Sequence, residues 1–196
     1  MTISLVGRIG VRTVSVRSSA TITHDISVLE SKQFDIFYSH RWGDDKNKKF
    51  LTYVCFLLRR EGYAVWFDVN HMGYDLVASM ESDVARSKVV LACVDSGYQD
   101  RPNCLLELKH ASRELSPPKT IVTVITQPDI MSWGSPDLIS MCGVPAKPVL
   151  DISGSAALDG WDSLDGPTDA MKARVEKEVK ELVKMLKAVG CKPSLL

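Results

Sequence analysis

The sequence predicts an α/β fold, a single three-layer domain with a five-stranded parallel sheet and helices on both faces. Three observations carry this. From Phe34 onward, short apolar runs alternate with segments of helical period, the pattern of βαβ units. One run, KVVLACVD at 88–95, is almost wholly apolar, as a central strand covered on both faces must be. The chain has 196 residues, 45% hydrophobic and 24% charged, enough for one domain with a sizeable core.

The elements follow in order. FDIFYS at 34–39 reads as a first strand. The segment 46–62 places Phe50, Leu51, Val54, Leu57 and Leu58 at helical spacing, and Gly62 stops it. YAVWFD at 63–68 is a second strand ending in a carboxylate. Segment 75–87 repeats Leu76, Met80 and Val84 on one helical face, and strand 88–95 follows it in mid-sheet. NCLLELKHASREL at 103–115 is one amphipathic helix, with Cys104, Leu108, Ala111 and Leu115 as its apolar stripe and Asp100 or Asn103 as N-cap. Pro117 and Pro118 end it. TIVTVIT at 120–126 is a β-branched fourth strand, 127–146 a mixed loop and short helix, and 147–153 a short fifth strand. The long stripe Met171, Val175, Val179, Leu182, Leu186 and Val189 marks a final helix over 168–190.

Three regions result: a disordered or targeting leader over 1–33, a domain over 34–190 and a C-terminal tail over 191–196. Arg8, Arg12 and Arg17 are the only formal charges before Asp25, among many Ser and Thr, a composition shared by disordered leaders and transit peptides. The expected location is cytoplasmic, or organellar if residues 1–33 are a transit peptide.

The bulk numbers exclude several functions. Net charge is zero, so no whole-chain field draws nucleic acid or an anionic membrane. The longest purely apolar run, Val89 to Val94, falls far short of the roughly 20 residues that span a bilayer. The five cysteines include no CxxC pair and the four histidines do not fall at ligand spacing with them, so no metal site and no cofactor is expected.

In an open parallel sheet, ligands bind beyond the carboxyl ends of the strands where strand order reverses. The first strand ends in Ser39, His40, Arg41 and Trp42, the second in Asp68, the third in Asp95, Ser96, Gly97 and Tyr98. Polar and aromatic residues therefore gather at three strand ends. The helix after the third brings Glu107 to the same edge, within its first two turns, one turn after Cys104 and bordering the buried stripe. The positive end of the helix dipole favours an ionised carboxylate there. Periodicity alone leaves two readings of Glu107 open, a solvated helix flank or a carboxylate held at a cleft.

DIFYSHRWGDD, then GYAVWFDVNHMGYDLVASMESDVARSKVVLACVDSGY, then NCLLEL together resemble a TIR (Toll/interleukin receptor) domain over about Phe34 to Ile125. The resemblance implies a flavodoxin-like fold and one of two functions. Some members cleave the nicotinamide–ribose bond of NAD or NADP, giving nicotinamide and ADP-ribose or its cyclic form. Others are adaptors that act only by TIR–TIR assembly, in signalling or innate immunity. For an NAD-cleaving member, Glu107 takes the place of the catalytic glutamate and NAD or NADP is substrate. The resemblance places Ser39, His40, Arg41 and Trp42 along the pocket, Arg41 on phosphate or ribose and Trp42 as a stacking face. Asp68 either binds substrate or caps its loop, Gly73 and Tyr74 lie in a gating loop, and Cys104 belongs to the C-x-x-E signature. Asn103 is a departure, standing where many plant-type members carry Trp. The implied partners are other TIR domains, with a homo-oligomer on activation, and neither nucleic acid nor membrane.

Overall fold

The computed structural model describes residues 33–43, 45–67, 76–145, 148–153, 161 and 167–195. Asp68, Gly73 and Tyr74, and residues 1–32 of the expected leader, lie outside these.

Five strands form one parallel sheet: β1 (Phe34–His40), β2 (Val65–Trp66), β3 (Ser87–Val94), β4 (Thr120–Ile125) and β5 (Val149–Asp151), in spatial order β2-β1-β3-β4-β5. The chain moves outward from β1 to β2, then returns past β1 to build β3, β4 and β5. Strand order thus reverses between β1 and β3, where the crevice for a ligand is expected. Registers Ser39↔Ala92 and His40↔Cys93 bring the two strand ends level there.

Alternation along β1 explains the layers. Ile36 and Tyr38 point into one core with Phe50, Leu58, Val122, Leu182 and Leu186, which lie on β4 and on the helices α1 (Asp45–Arg60) and α6 (Asp169–Ala188). Phe37 points the other way, into a core with Val84, Val90, Val94, Leu108, Ala111 and Leu138. Helix α2 (Leu76–Ala85), helix α3 (Pro102–Lys109) with the π-helical turn that continues it (His110–Glu114), α4 (Ile130–Trp133) and α5 (Pro136–Cys142) supply or flank that face. β3 is buried at seven of its eight positions, the near-continuous apolar run of a central parallel strand. Among the described residues, no helix is long and apolar enough to cross a membrane.

Three expectations need correction. The second strand is two residues long rather than six, because Ala64 O accepts from both Asp35 N and Ile36 N while Ala64 N donates to the Asp35 side chain. The helix expected over 103–115 is α-helical only to Lys109 and then widens into the π turn, closed by Leu115 N donating to His110 O. Its N-cap is Arg101, not Asp100 or Asn103: Pro102 occupies the first helical position, where a missing N–H costs nothing and φ is already set.

The tail is tied down at the far end of β1. Asp35 Oδ2 accepts from Ala64 N at 2.8 Å, Ser194 N at 3.0 Å and Ser194 Oγ at 2.8 Å, and Lys88 Nζ lies 2.6 Å from Oδ1. Leu195 N donates to Gly62 O, and Gly62 holds the left-handed φ of 85° that ends α1.

Candidate functional site

A cleft of about 200 Å³ opens at the strand reversal, lined among others by His40, Arg41, Trp42, Trp66, Cys104 and Glu107. α3 places Glu107 there through the stripe it shares with Cys104 and Leu108: all three are buried, Glu107 at 9% exposure. The carboxylate is therefore part of the packed face, not a solvated flank.

A buried ionic group needs partners. Ser39 Oγ, at the end of β1, donates to Glu107 Oε2 at 2.5 Å and lies 2.5 Å from Tyr98 Oη. Ser39 has one hydroxyl proton, and it is committed to the carboxylate. Tyr98 is then the donor in the second contact, sharing its one proton with Cys104 O, to which it also donates at 3.3 Å. The result is a directed relay, Tyr98 to Ser39 to Glu107. Burial, followed by the neighbouring Cys104 and Glu107, pushes the Tyr98 phenol well above its ordinary range, so it stays a neutral donor. Burial and then the Glu107 charge push the Cys104 thiol up to about 12. It is a neutral wall residue whose Sγ donates to His40 O at 3.3 Å.

The opposite wall is aromatic. The His40 ring stacks on Phe67 with centroids 4.7 Å apart and meets Trp42 edge-on at 4.5 Å. Its Nδ1 lies 3.0 Å from Tyr38 O, which fixes the ring plane. Trp42 is 37% exposed and has Lys48 Nζ 5.7 Å from its ring centre. Trp66 stacks on Phe37 at 4.3 Å beneath the cleft.

Arg41, which lines the cleft, is anchored by an acidic partner. Its Nε donates to Asp95 Oδ1 at 2.6 Å, a partly buried ion pair linking the ends of β1 and β3. Two glycines make room for it: a Cβ on Gly97 would sit 2.7 Å from Arg41 Nε, and one on Gly43 would sit 3.0 Å from Arg41 Nη1.

Of the sequence-expected residues, Ser39, His40, Arg41, Trp42, Cys104 and Glu107 converge on this edge. Tyr98, Asp95, Trp66 and Phe67 were not assigned roles from sequence. Asp95 and Tyr98 had a visible signal, their place just after the third strand, but nothing local in sequence names their partners. Arg101 and Asn103 also border the cleft from the start of α3, both exposed.

These features define an open-sheet α/β domain whose strand-reversal cleft carries one buried, hydroxyl-held carboxylate. The family model for the TIR domain matches residues 36–164, and the chain belongs to that family. The TIR domains of the activated Roq1 resistosome, which directly recognises the pathogen effector XopQ, share the fold: 15% identity, 78% of this chain and 98% of that one covered, TM-score 0.50. A diflavin flavoprotein A3 from Nostoc sp. aligns at 13% identity over 78% of this chain and 91% of that one, with TM-score 0.44. Comparison with curated proteins gives no match.

Proposed function

We propose that this TIR domain is an NAD(P) glycohydrolase that acts in signalling or defence. The observation that carries the reading is Glu107, a carboxylate buried at the strand reversal and gripped by Ser39. Breaking the nicotinamide–ribose bond sends its electron pair to the pyridinium nitrogen and leaves an oxocarbenium-like ribose. A fixed carboxylate beside the ribose stabilises that developing charge, and being held in place beforehand it needs no reorganisation at the moment of reaction. Water then adds to the ribose carbon and loses a proton to give ADP-ribose, or an adenine nitrogen adds to give the cyclic form. The cleft takes a nucleoside-sized fragment, with the His40, Trp42 and Trp66 rings as a wall for the leaving nicotinamide and Phe67 stacked on His40 in support. No cofactor enters this scheme; NAD or NADP is the substrate.

A second reading, an adaptor working only through TIR–TIR assembly, is favoured by one observation. Arg41, expected on phosphate or ribose, gives its Nε–H to Asp95, which leaves fewer of its donors for a substrate.

The deciding measurement is nicotinamide release from NAD and NADP by the wild type, Glu107→Ala and Glu107→Gln, each concentrated or tethered on a surface so that assembly is not limiting. The glycohydrolase reading expects turnover in the wild type and a loss of on the order of a hundredfold or more in both variants with the fold intact. No turnover from demonstrably assembled wild type returns the domain to the adaptor class.

A further inference from the structure

A second convergence of side chains lies beside Glu107, where α2 meets the π turn, and none of its three residues takes part in the proposed reaction. Glu81 on α2, His110 at the head of the π turn and Glu114 at its end each offer a ligating atom, and these atoms all lie within 4.8 Å of one another. Two separate elements therefore contribute, so helical spacing alone does not account for the cluster. His110 Nδ1 is 3.1 Å from Glu114 Oε2, and the His110 side chain is 16% exposed. A partly open void of about 10 Å³ is lined by Glu81 and His110 with Met80, Val84, Leu106 and Glu107, and Glu114 lies outside its lining. That is the volume of one small occupant, a water or an ion.

We propose that Glu81, His110 and Glu114 bind a single divalent cation of the zinc class, with solvent completing its coordination. One imidazole nitrogen and two carboxylates suit zinc and its transition-metal neighbours, whereas calcium and magnesium prefer all-oxygen shells. Tetrahedral ligands at the usual zinc distances of roughly 2.0–2.2 Å stand closer together than the present spread. Rotamer changes of the two exposed glutamates close that difference, while the less exposed His110 stays as the fixed ligand. Lys109 Nζ, 3.2 Å from Glu114 Oε1, would have to turn away; its side chain is 54% exposed and free to do so. The cation would then tie α2 to the π turn across a void that Glu107 also borders, fixing the spacing of the two elements behind the cleft. This site does not depend on the glycohydrolase reading.

Isothermal titration of the metal-free full chain with zinc chloride tests it, with Co²⁺ absorption as a second probe. All five cysteines are buried, so thiols do not compete in the folded chain. The expected result is one equivalent bound, a Co²⁺ spectrum without thiolate charge-transfer bands, and affinity weakened by about tenfold or more in His110→Ala and in Glu81→Gln. His24→Ala and His71→Ala should leave it unchanged. Should His110→Ala lose its fold, Glu81→Gln and Glu114→Gln, both on exposed side chains, carry the comparison. Absence of binding, a thiolate spectrum, or wild-type affinity in the folded Glu81, His110 and Glu114 variants would overturn the proposal.

Discussion

Ser39 Oγ and Glu107 Oε2 stand 2.5 Å apart across 68 residues of chain, joining the end of the sheet's first strand to the helix beyond its third. With Tyr98 committed behind it, Ser39 offers its proton in one direction only, towards the carboxylate.

Removing that donor therefore has a readable consequence if the domain is a glycohydrolase. Hydrogen bonds to charged groups contribute about 1.5–3 kcal/mol, so Ser39→Ala should cut nicotinamide release by roughly tenfold to a hundredfold. Tyr98→Phe, which leaves Ser39 in place, should lower it by less. Steady-state nicotinamide release, with thermal melts as the control for folding, reads both variants. Wild-type rates in both folded variants would refute the relay.

Gly97 sets the position of Arg41. Added to this backbone, an alanine methyl meets the guanidinium at 2.7 and 2.9 Å, against an arginine already pinned by Asp95. Gly97→Ala should displace Arg41 and break the ion pair. Because that pair is partly solvated, stability should fall by no more than about 1 kcal/mol. If Arg41 then reaches the substrate, KM for NAD(P) shifts several-fold while kcat stays close to wild type, and Asp95→Asn does the same. Thermal melts and steady-state kinetics check this; wild-type values in both variants would show that the pair does not restrain Arg41.

Asp35 makes the C-terminal tether sensitive to acid. Burial alone would push its carboxyl up, but Lys88, then the Ala64 N–H, then Ser194 outweigh it and hold the carboxyl below its ordinary value. A depressed pKa contributes stability that is complete above the unfolded value of about 3.9 and lost as pH falls through the folded one. Protection factors of the Ser194 and Leu195 amides, corrected for intrinsic exchange, should thus fall below about pH 4 and stay level between pH 5 and 8. Asp35→Asn, which leaves the donors facing a neutral group, should cost about 2–4 kcal/mol and flatten the acid limb of a melting curve.

The thiols should be silent in the native state. All five cysteines are buried and unpaired with one another. Burial pushes Cys55 and Cys191 up to about 11 and Cys93 and Cys104 up to about 12. A colorimetric thiol assay at pH 8 should count none until denaturant is added and five afterwards. Rapid native labelling of Cys104 would contradict the packing of the cleft floor.

The fold was legible because burial writes itself into period. β3 and α6 carry long apolar patterns that a single sequence displays, and both lie close to their expected bounds. β2 shrank because the Asp35 side chain takes over hydrogen bonding that periodicity cannot register. In the site, Glu107 and the residues ending β1 were readable from the strand-end rule and the family resemblance. The pairings Ser39–Tyr98 and Arg41–Asp95 were not, since they join residues 59 and 54 positions apart. Glu81, His110 and Glu114 escaped for the same reason: their proximity is made by the packing of α2 against the π turn, not by any spacing along the chain.

The clasp at Asp35 also decides how the domain carries mechanical load. Phe34 and Asp35 begin β1, Ser194 lies against Asp35, and Ser39 near the other end of the strand is roughly 13 Å from Asp35 by strand rise. Tension applied between residues 33 and 195 would peel the Ser194 contacts from one carboxylate in sequence, as a zipper opens, instead of shearing the sheet. The cleft stands outside that force path, so it should keep its shape when the domain is loaded from those two positions.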